Sequence, residues 1–188
     1  MKKWVIVAAL ALAFSPSGAA ADWLFTPNLG TTFGGATHGQ EHFTYGASIG
    51  WMGEGIFGWE ADLSYTPEFF EGNDNDFDFI DGSNVVSAMF NAIVGAPVGG
   101  QLGPGFRPYF SAGIGMVQRE VQSDDDLFDV SSNDWGFNLG GGAMGFATDN
   151  VGFRGDLRYI RSFEDLEQTF DAGSFDFWRG TAGITFRW

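Results

Sequence analysis

The sequence predicts an all-β protein in which eight antiparallel strands close into a transmembrane β-barrel. Three observations carry this prediction. Eight segments of about ten residues alternate apolar with small or polar residues, long connections alternate with short ones, and tryptophans and tyrosines lie near the segment ends. Strands that cross a bilayer as a closed barrel have this length, this alternation, an even count and aromatic girdles at both interfaces.

Each segment has the period of two that a strand requires, because successive side chains point to opposite faces. Pro27 interrupts the first segment, and since proline removes a ladder donor we expect a local bulge there. The segments cover residues 23–33, 43–52, 56–66, 84–95, 107–118, 135–146, 151–161 and 177–188.

Aromatic residues with a polar end sort to two levels along these segments. Such rings prefer the membrane–water interfaces. A soluble β-sandwich or a lipocalin-like barrel would not sort aromatic residues in this way, so the membrane interpretation is favoured. The expected girdle comprises Trp23, Trp51, Trp59 and Trp188 at the level of the short turns, and Tyr65, Trp135, Tyr159 and Trp178 at the level of the long loops.

The amino-terminus has the pattern of a secretion signal. Lys2 and Lys3 precede an apolar run that is too short to span a bilayer, and Ala19 and Ala21 fit a small-residue cleavage site. We therefore expect residues 1–21 to be a signal peptide and residues 22–188 to be the barrel domain.

The composition excludes several classes of function. The expected mature chain keeps seven arginines and all 24 acidic residues, which gives a formal charge of −17. Nucleic acid binding is disfavoured, because phosphate contacts need a basic surface. The chain has no cysteine, so disulfides and thiolate metal sites are excluded. No cofactor is expected.

The last strand, with Ala182, Ile184, Phe186 and Trp188 on its apolar face, resembles the terminal strand of bacterial outer-membrane β-barrels. In that family the final aromatic residue and the alternate apolar residues before it are recognised by the barrel-assembly machinery. The resemblance implies that Ile184, Phe186 and Trp188 form an assembly signal and that this machinery is a partner.

Two inner stretches, residues 107–115 and 153–159, resemble the fifth and seventh strands of the OmpA/OmpX/OmpW-like superfamily of small outer-membrane barrels. This resemblance rests on pattern over the whole expected mature chain. It implies a location in a Gram-negative-type outer membrane, with both termini in the periplasm, long loops outside, and outer-membrane lipid and lipopolysaccharide as neighbours.

Charged residues recur at inward positions of the segments. An eight-stranded barrel has an interior that side chains fill, and buried charges must be paired. We favour a plug of ion pairs that specifies the closed barrel, and the alternative is a narrow ion path gated by the same pairs. The expected lumen network comprises Glu60, Asp62, Arg154, Asp156, Arg158, Arg179 and Arg187.

The long loops are strongly acidic. Their alternating aspartates lack the glycine and the closing glutamate of an EF-hand, so that match fails and no metal site is certain. Solvated loops are the favoured interpretation, and the alternative is divalent-cation binding that bridges the rim to lipopolysaccharide phosphates. The candidate cation ligands are Asp74, Asp76, Asp78, Asp124, Asp125 and Asp126.

The expected function is structural or adhesive, non-enzymatic, and exerted through the extracellular loops. The second hypothesis is a narrow channel or a carrier of small apolar molecules across the outer membrane. The third is a lipid-modifying enzyme that would use His38 or His42 with Ser83, which lies near Asp81. Such chemistry needs a base within reach of the hydroxyl, and no spacing in the sequence demonstrates it.

Overall fold

The computed structural model describes residues 22–37, 39–53, 56–69, 80–98, 105–123, 130–163 and 175–188. Within these ranges there are eight strands: β1 (Asp22–Phe33), β2 (His42–Met52), β3 (Phe57–Pro67), β4 (Ile80–Gly95), β5 (Gly105–Ser123), β6 (Val130–Phe146), β7 (Val151–Ser162) and β8 (Asp176–Arg187). Each strand pairs antiparallel with its neighbours in sequence, and β1 pairs with β8, so the sheet closes. The predicted eight-stranded antiparallel barrel is confirmed.

One short helix accompanies the strands in the described part of the chain. It is a 3-10 turn, Gly35–Thr37, between β1 and β2. Among the described residues, no helix combines the length and the apolar character needed to cross a bilayer.

The alternation of the sequence sets the two faces of the barrel. Thr26, Thr44 and Ser64 point inward and are buried, whereas Phe110 and Phe57 point outward and are 77% and 67% exposed. A continuous belt of exposed large apolar side chains is stable only against an apolar solvent, and lipid supplies that solvent. The apolar face is therefore the outside, opposite to the arrangement in a soluble protein.

Three strands are longer than the alternation predicted. β4 begins four residues before the expected start at Asn84, β5 continues beyond Gln118 to Ser123, and β6 begins at Val130 rather than at Trp135. The sequence predicts loops for these extensions, because their polar residues do not continue the apolar face. Once strands extend past the lipid belt, however, backbone pairing alone defines them and an apolar outer face is no longer required.

The bulge expected at Pro27 is absent. Pro27 pairs with Ala47 in a continuous β1–β2 register, and the β1–β8 pairing keeps the same offset before and after it. The β1–β8 ladder omits Thr26 and Pro27, and a hydrogen bond of 2.9 Å between the hydroxyls of Thr26 and Thr185 joins the strands there. Proline therefore interrupts the β1–β8 ladder, but the strand contains no extra residue there. A register shift occurs elsewhere, in the β4–β5 pair between Ile80 and Gly82.

The interior has three layers along the barrel axis. A charged and polar layer occupies the middle, and an apolar layer lies on each side of it. The turn-side apolar layer comprises Leu24, Met52, Ile93, Tyr109, Met144 and Phe146. The loop-side apolar layer comprises Phe69, Val85, Met89, Val117, Ile160, Phe175 and Phe177.

Close packing of the interior requires glycine at the seam between β1 and β8. A Cβ atom at Gly30 would overlap the carbonyl oxygen of Gly180 and would lie 2.7 Å from the Cα atom of Thr181. Backbone atoms of a neighbouring strand cannot move aside cheaply. At Gly155, which faces lipid on β7, a Cβ atom would meet nothing within 4 Å.

Gly30→Ala is expected to lower the free energy of unfolding by about 1–3 kcal/mol, because the added methyl group forces the seam apart. Gly155→Ala is the matched control and should stay within about 0.5 kcal/mol of the parent. Urea unfolding of the barrel refolded into lipid vesicles measures both values. Equal stability of the two variants would contradict the close approach at the seam.

Candidate functional site

Charged side chains from three strands meet in the middle layer. Glu60 and Asp62 point inward from β3, Arg154, Asp156 and Arg158 from β7, and Arg179 from β8; we call these six residues the charged layer. Five of the six residues are buried as whole residues, and the side chain of the sixth, Asp156, is 4% exposed. Three carboxylates therefore face three guanidinium groups, and the formal charges of the layer cancel.

Glu60 is held by two arginines from the opposite wall of the barrel. Arg154 donates from Nη1 to Glu60 Oε2, and Arg158 donates from Nη2 to Glu60 Oε1 at 2.6 Å. Each carboxylate oxygen thus has its own cationic donor. Charge-assisted bonds of this kind are stronger than neutral hydrogen bonds, and they tie β3 to β7 across the lumen.

Asp156 lies between the same two arginines on β7. Arg158 donates from Nε to Asp156 Oδ1 at 2.5 Å, and Arg154 donates from Nη2 to Asp156 Oδ2 at 3.0 Å. The alternation along β7 explains this arrangement, because residues two apart in a strand lie on the same face.

Asp62 pairs with the third arginine. Arg179 donates from Nη2 to Asp62 Oδ1 at 2.5 Å, and Arg158 Nη1 is 3.8 Å from the same oxygen. Arg179 also donates to Ser64, whose hydroxyl is 2.7 Å from that of Ser87. Arg158 therefore lies within ion-pair distance of all three acids and joins them into one network.

Neutral side chains that the sequence analysis did not single out complete the network. The Tyr109 hydroxyl donates to Asp156 and accepts from Arg154 Nε at 2.7 Å. Asn138 donates to Asn91 at 2.7 Å, and Asn91 donates to Glu60 at 3.4 Å. Their inward parity on β4, β5 and β6 was the available sequence signal, but these side chains carry no formal charge.

Arg187 does not join the charged layer, contrary to the expectation that all inward arginines form one network. It donates from Nε to the carbonyl oxygen of Asp149 at 2.6 Å, lies 3.7 Å from Asp22, and places its guanidinium 4.1 Å from the centre of the Phe146 ring. Eight residues of strand separate it from Arg179, which amounts to about 26 Å. It therefore lies at the turn-side end of the lumen.

Side chains fill the interior around the charged layer. A cavity beside it, lined in part by Asn28, Ser48 and Thr181, has a volume of about 10 Å³, roughly the space that one water molecule requires. The two apolar layers lie above and below. An ion that entered this part of the lumen would have to displace apolar side chains and break ion pairs.

The loop-side apolar layer also contains the candidate catalytic histidine. His42 is buried and stacks on the Phe69 ring at a centroid distance of 5.5 Å. Glu68 has a positive φ of 53°, a conformation uncommon for residues other than glycine, and precedes the buried Phe69. Ser83 is buried as well. His38 and the side chain of Asp81 lie outside the described residues.

The candidate cation ligands of the acidic loops, Asp74, Asp76, Asp78, Asp124, Asp125 and Asp126, also lie outside the described residues. Within the described ranges, no group of three or more metal-ligating side chains is placed to hold an ion. At the loop-side end of the lumen, Asp134 pairs with Arg119, which lies 4.6 Å from the centre of the Phe175 ring. Asp134 is thus an interior residue rather than part of a solvated rim.

Several residues of the expected girdle contact one another at the two ends of the barrel. On the turn side, Trp23 and Trp59 meet edge to face at 5.6 Å. The backbone NH of Trp23 donates to the carbonyl oxygen of Trp188 at 3.0 Å, which places the terminal residue at the same level. On the loop side, the rings of Tyr159 and Trp178 lie 5.3 Å apart.

These features define a class: small eight-stranded membrane barrels with an interior filled by side chains. Residues 6–186 match the family model described as the outer membrane protein beta-barrel domain. The chain belongs to that family and is an outer-membrane β-barrel protein.

A curated relative is the 22 kDa outer membrane protein of Rhizobium leguminosarum bv. viciae, 27% identical over 151 residues. The match covers 77% of this chain and spans 65% of that relative's length.

Solved structures share the fold at low sequence identity. The outer membrane protein OprG of Pseudomonas aeruginosa has a TM-score of 0.64 and 10% identity, covering 90% of this chain and 96% of its own. Neisserial surface protein A has a TM-score of 0.63 and 14% identity, covering 92% and 100%. Ail, the attachment invasion locus protein of Yersinia pestis, has a TM-score of 0.55 and 12% identity, covering 90% and 99%.

Arg154→Ala and Asp62→Ala are each expected to lower the free energy of unfolding by about 3–5 kcal/mol, because each leaves a buried partner charge uncompensated. Asp149→Ala is the control: its side chain is exposed on the β6–β7 turn, and only its backbone carbonyl accepts from Arg187. Urea titration followed by tryptophan fluorescence gives the values. If the three variants are equally stable, the charged layer does not stabilise the barrel.

Proposed function

We propose that this protein is a non-enzymatic structural and adhesive barrel that presents a protein-binding sheet on the cell surface. The observation that carries the proposal is a projection of β4, β5 and β6 beyond their neighbours. Within the described residues, β3 pairs with β4 as far as Asn84, and β7 pairs with β6 as far as Gly136. Residues 80–83, 119–123 and 130–134 continue as a three-stranded sheet. We call it the projecting sheet.

The projecting sheet has a suitable form for binding an extended segment of another protein. The edge formed by residues 130–134 of β6 is about 17 Å long, given the rise per residue of an antiparallel strand. Beyond Gly136 the backbone NH of Phe163 still donates to the carbonyl oxygen of Trp135 at 2.7 Å, and in the described part of the chain no strand pairs with residues 130–134 on that side. An unpaired edge offers a row of backbone donors and acceptors to which a partner strand can add.

Acidic residues on and next to the projecting sheet indicate the charge of the partner. Glu120 lies on the projecting sheet, and the connection between β5 and β6 contains the run Asp124, Asp125 and Asp126 in the sequence. A partner segment with basic side chains fits this surface, because complementary charges accelerate association and disfavour other partners. The name of the Yersinia pestis structural neighbour, attachment invasion locus protein, assigns an attachment role to a protein of the same fold.

The proposal requires that the loop side face outward and that both termini lie in the periplasm. The alternation of long and short connections supports this orientation, since outer-membrane barrels have long extracellular loops and short periplasmic turns. The candidate assembly signal Ile184, Phe186 and Trp188 would then face the machinery in the periplasm. Lipopolysaccharide and divalent cations would be neighbours of the acidic loops.

Protease added to intact cells that produce this barrel is expected to cut between residues 124 and 129 and to spare the turns at Gly53 and Thr148. The same treatment should abolish the attachment that the barrel confers on a non-adherent host strain. Fragment masses and counts of cells bound to an epithelial layer measure the two effects. Cleavage at Gly53 or Thr148 without membrane rupture would overturn the orientation.

A point variant separates attachment from damage to the barrel. Asn133→Pro removes a backbone donor from the exposed β6 edge and should reduce attachment severalfold, because proline blocks strand addition. Asp149→Pro on the opposite turn is the control, because the Asp149 side chain is exposed and proline keeps the carbonyl oxygen that accepts from Arg187. It should attach like the parent, provided that both variants show heat-modifiable migration on gels. Full attachment by Asn133→Pro would reject the projecting sheet as the adhesive surface.

The filled interior supports a closed barrel rather than a channel. Replacing a paired charge by apolar residues of similar size is often neutral, whereas leaving one partner behind is costly. The double variant Asp62→Leu with Arg179→Met should therefore recover most of the stability that Asp62→Ala loses.

Planar-bilayer recordings of the same variants should show ion conductance near zero for both the parent and the double variant, because the apolar layers still close the lumen. A steady current through the double variant, absent from the parent, would identify the charged layer as a gate. That outcome would favour the channel hypothesis.

A further inference from the structure

The lipid-facing surface has a furrow of about 770 Å³ that crosses five strands. Two neighbouring rows of cross-strand partners line most of it, and they combine alanine and glycine with larger apolar side chains. One row runs from Ala92 through Ala112, Leu139 and Tyr159 to Trp178. The other runs from Val94 through Phe110, Gly141 and Leu157 to Gly180. We call the furrow that these two rows line the β4–β8 furrow.

The furrow traverses the membrane belt. Ala92 lies near the turn-side end of β4 and pairs with the girdle residue Trp59, whereas Trp178 lies near the loop-side end of β8. Because strands in a barrel are tilted, a row of cross-strand partners runs obliquely from one interface to the other. An extended acyl chain that follows the row therefore stays within the hydrocarbon layer.

A polar pair lies immediately beyond the loop-side end of the furrow. Arg161 is two residues beyond Tyr159 on β7, and its cross-strand partner on β8 is Asp176. Arg161 is on the outer face, whereas the other six arginines, all within the described ranges, occupy inward positions. Its Nε atom is shielded from solvent and has no hydrogen-bond partner among the described residues.

We propose that the β4–β8 furrow is a binding site for one phosphorylated glycolipid of the outer leaflet, with an acyl chain in the furrow and a phosphate on Arg161. The leaflet assignment rests on the orientation proposed above. The guanidinium group donates to the phosphate oxygens, a geometry that arginine favours.

Asp176 adds selectivity for the kind of head group. A carboxylate beside the guanidinium disfavours a purely anionic head group and accepts hydrogen bonds from hydroxyl groups. The Tyr159 hydroxyl lies within hydrogen-bonding reach of both side chains. A phosphorylated sugar supplies the phosphate and the hydroxyl donors together, so it fits the pair better than a simple phosphate ester does.

A second furrow on the barrel provides an internal control. It has a volume of about 710 Å³ and is also lined by small and aromatic residues, among them Ala47, Ala88 and Phe90. Its loop-side end is at Trp135, and the next outward residues on β5 and β6 are Gln118 and Asn133. Neutral amides therefore stand where the β4–β8 furrow has Arg161, so this furrow should accept acyl chains without selecting a phosphate.

Native mass spectrometry of the purified, folded barrel with added lipid A tests the site. One lipid A should stay bound to the parent. Ala112→Phe, which fills the β4–β8 furrow, should weaken binding about tenfold, and so should Arg161→Gln, since a charge-assisted bond contributes about a tenfold factor. Ala88→Phe, which fills the second furrow, should bind like the parent, and Arg161→Lys should recover part of the affinity.

Dephosphorylated lipid A distinguishes the head group from the acyl chains. It should bind the parent about as weakly as intact lipid A binds Arg161→Gln. Equal weakening by Ala112→Phe and Ala88→Phe would show unselective lipid contact and overturn the site, as would unchanged binding to Arg161→Gln. Ala92→Phe replaces Ala112→Phe if the latter lacks heat-modifiable migration. Attachment of cells is a separate readout, so failure here leaves the adhesive proposal to its own test.

Discussion

Closure of the sheet creates the constraint on which the rest of the structure depends: inward side chains from eight strands must fill a narrow barrel interior. Charges placed there lose hydration, so they are stable only when they are paired and hydrogen-bonded. Arg158 forms ion pairs with Glu60, Asp62 and Asp156 together, and it donates hydrogen bonds to Glu60 and Asp156. The resulting charged layer joins β3 to β7 and β8 across the lumen, which neighbouring backbone ladders alone cannot do.

The layers on either side follow from the same constraint. Tyr109 belongs to the turn-side apolar layer through its ring and to the charged layer through its hydroxyl, so it forms the boundary between them. On the loop side, Phe69, Phe175 and Phe177 pack ring against ring. Apolar side chains above and below separate the charged layer from bulk water, which strengthens the ion pairs.

The outer surface of the barrel faces a different solvent at different heights along the barrel axis. In the lipid belt, apolar side chains of varied size leave furrows that acyl chains can occupy. Beyond the loop-side girdle, β4, β5 and β6 continue with polar side chains, because water surrounds them there. Arg161 lies at the transition between these two regions, two residues beyond Tyr159 on β7. The proposed lipid site and the proposed protein-binding sheet therefore lie at different heights of the barrel.

Sequence alone determined the barrel, because a period of two over eight segments with sorted aromatic residues identifies the lipid-facing side of every strand. It also determined which charges face inward, since parity follows from the same period. Tertiary structure decided which of them meet: Arg179 reaches Asp62, whereas Arg187, eight residues farther along β8, pairs at the turn-side end. Strand register and tilt set these distances across the barrel, and neither is encoded in spacing along a single strand. The lengths of β4, β5 and β6 likewise depended on pairing between strands, because their polar ends carry no apolar alternation.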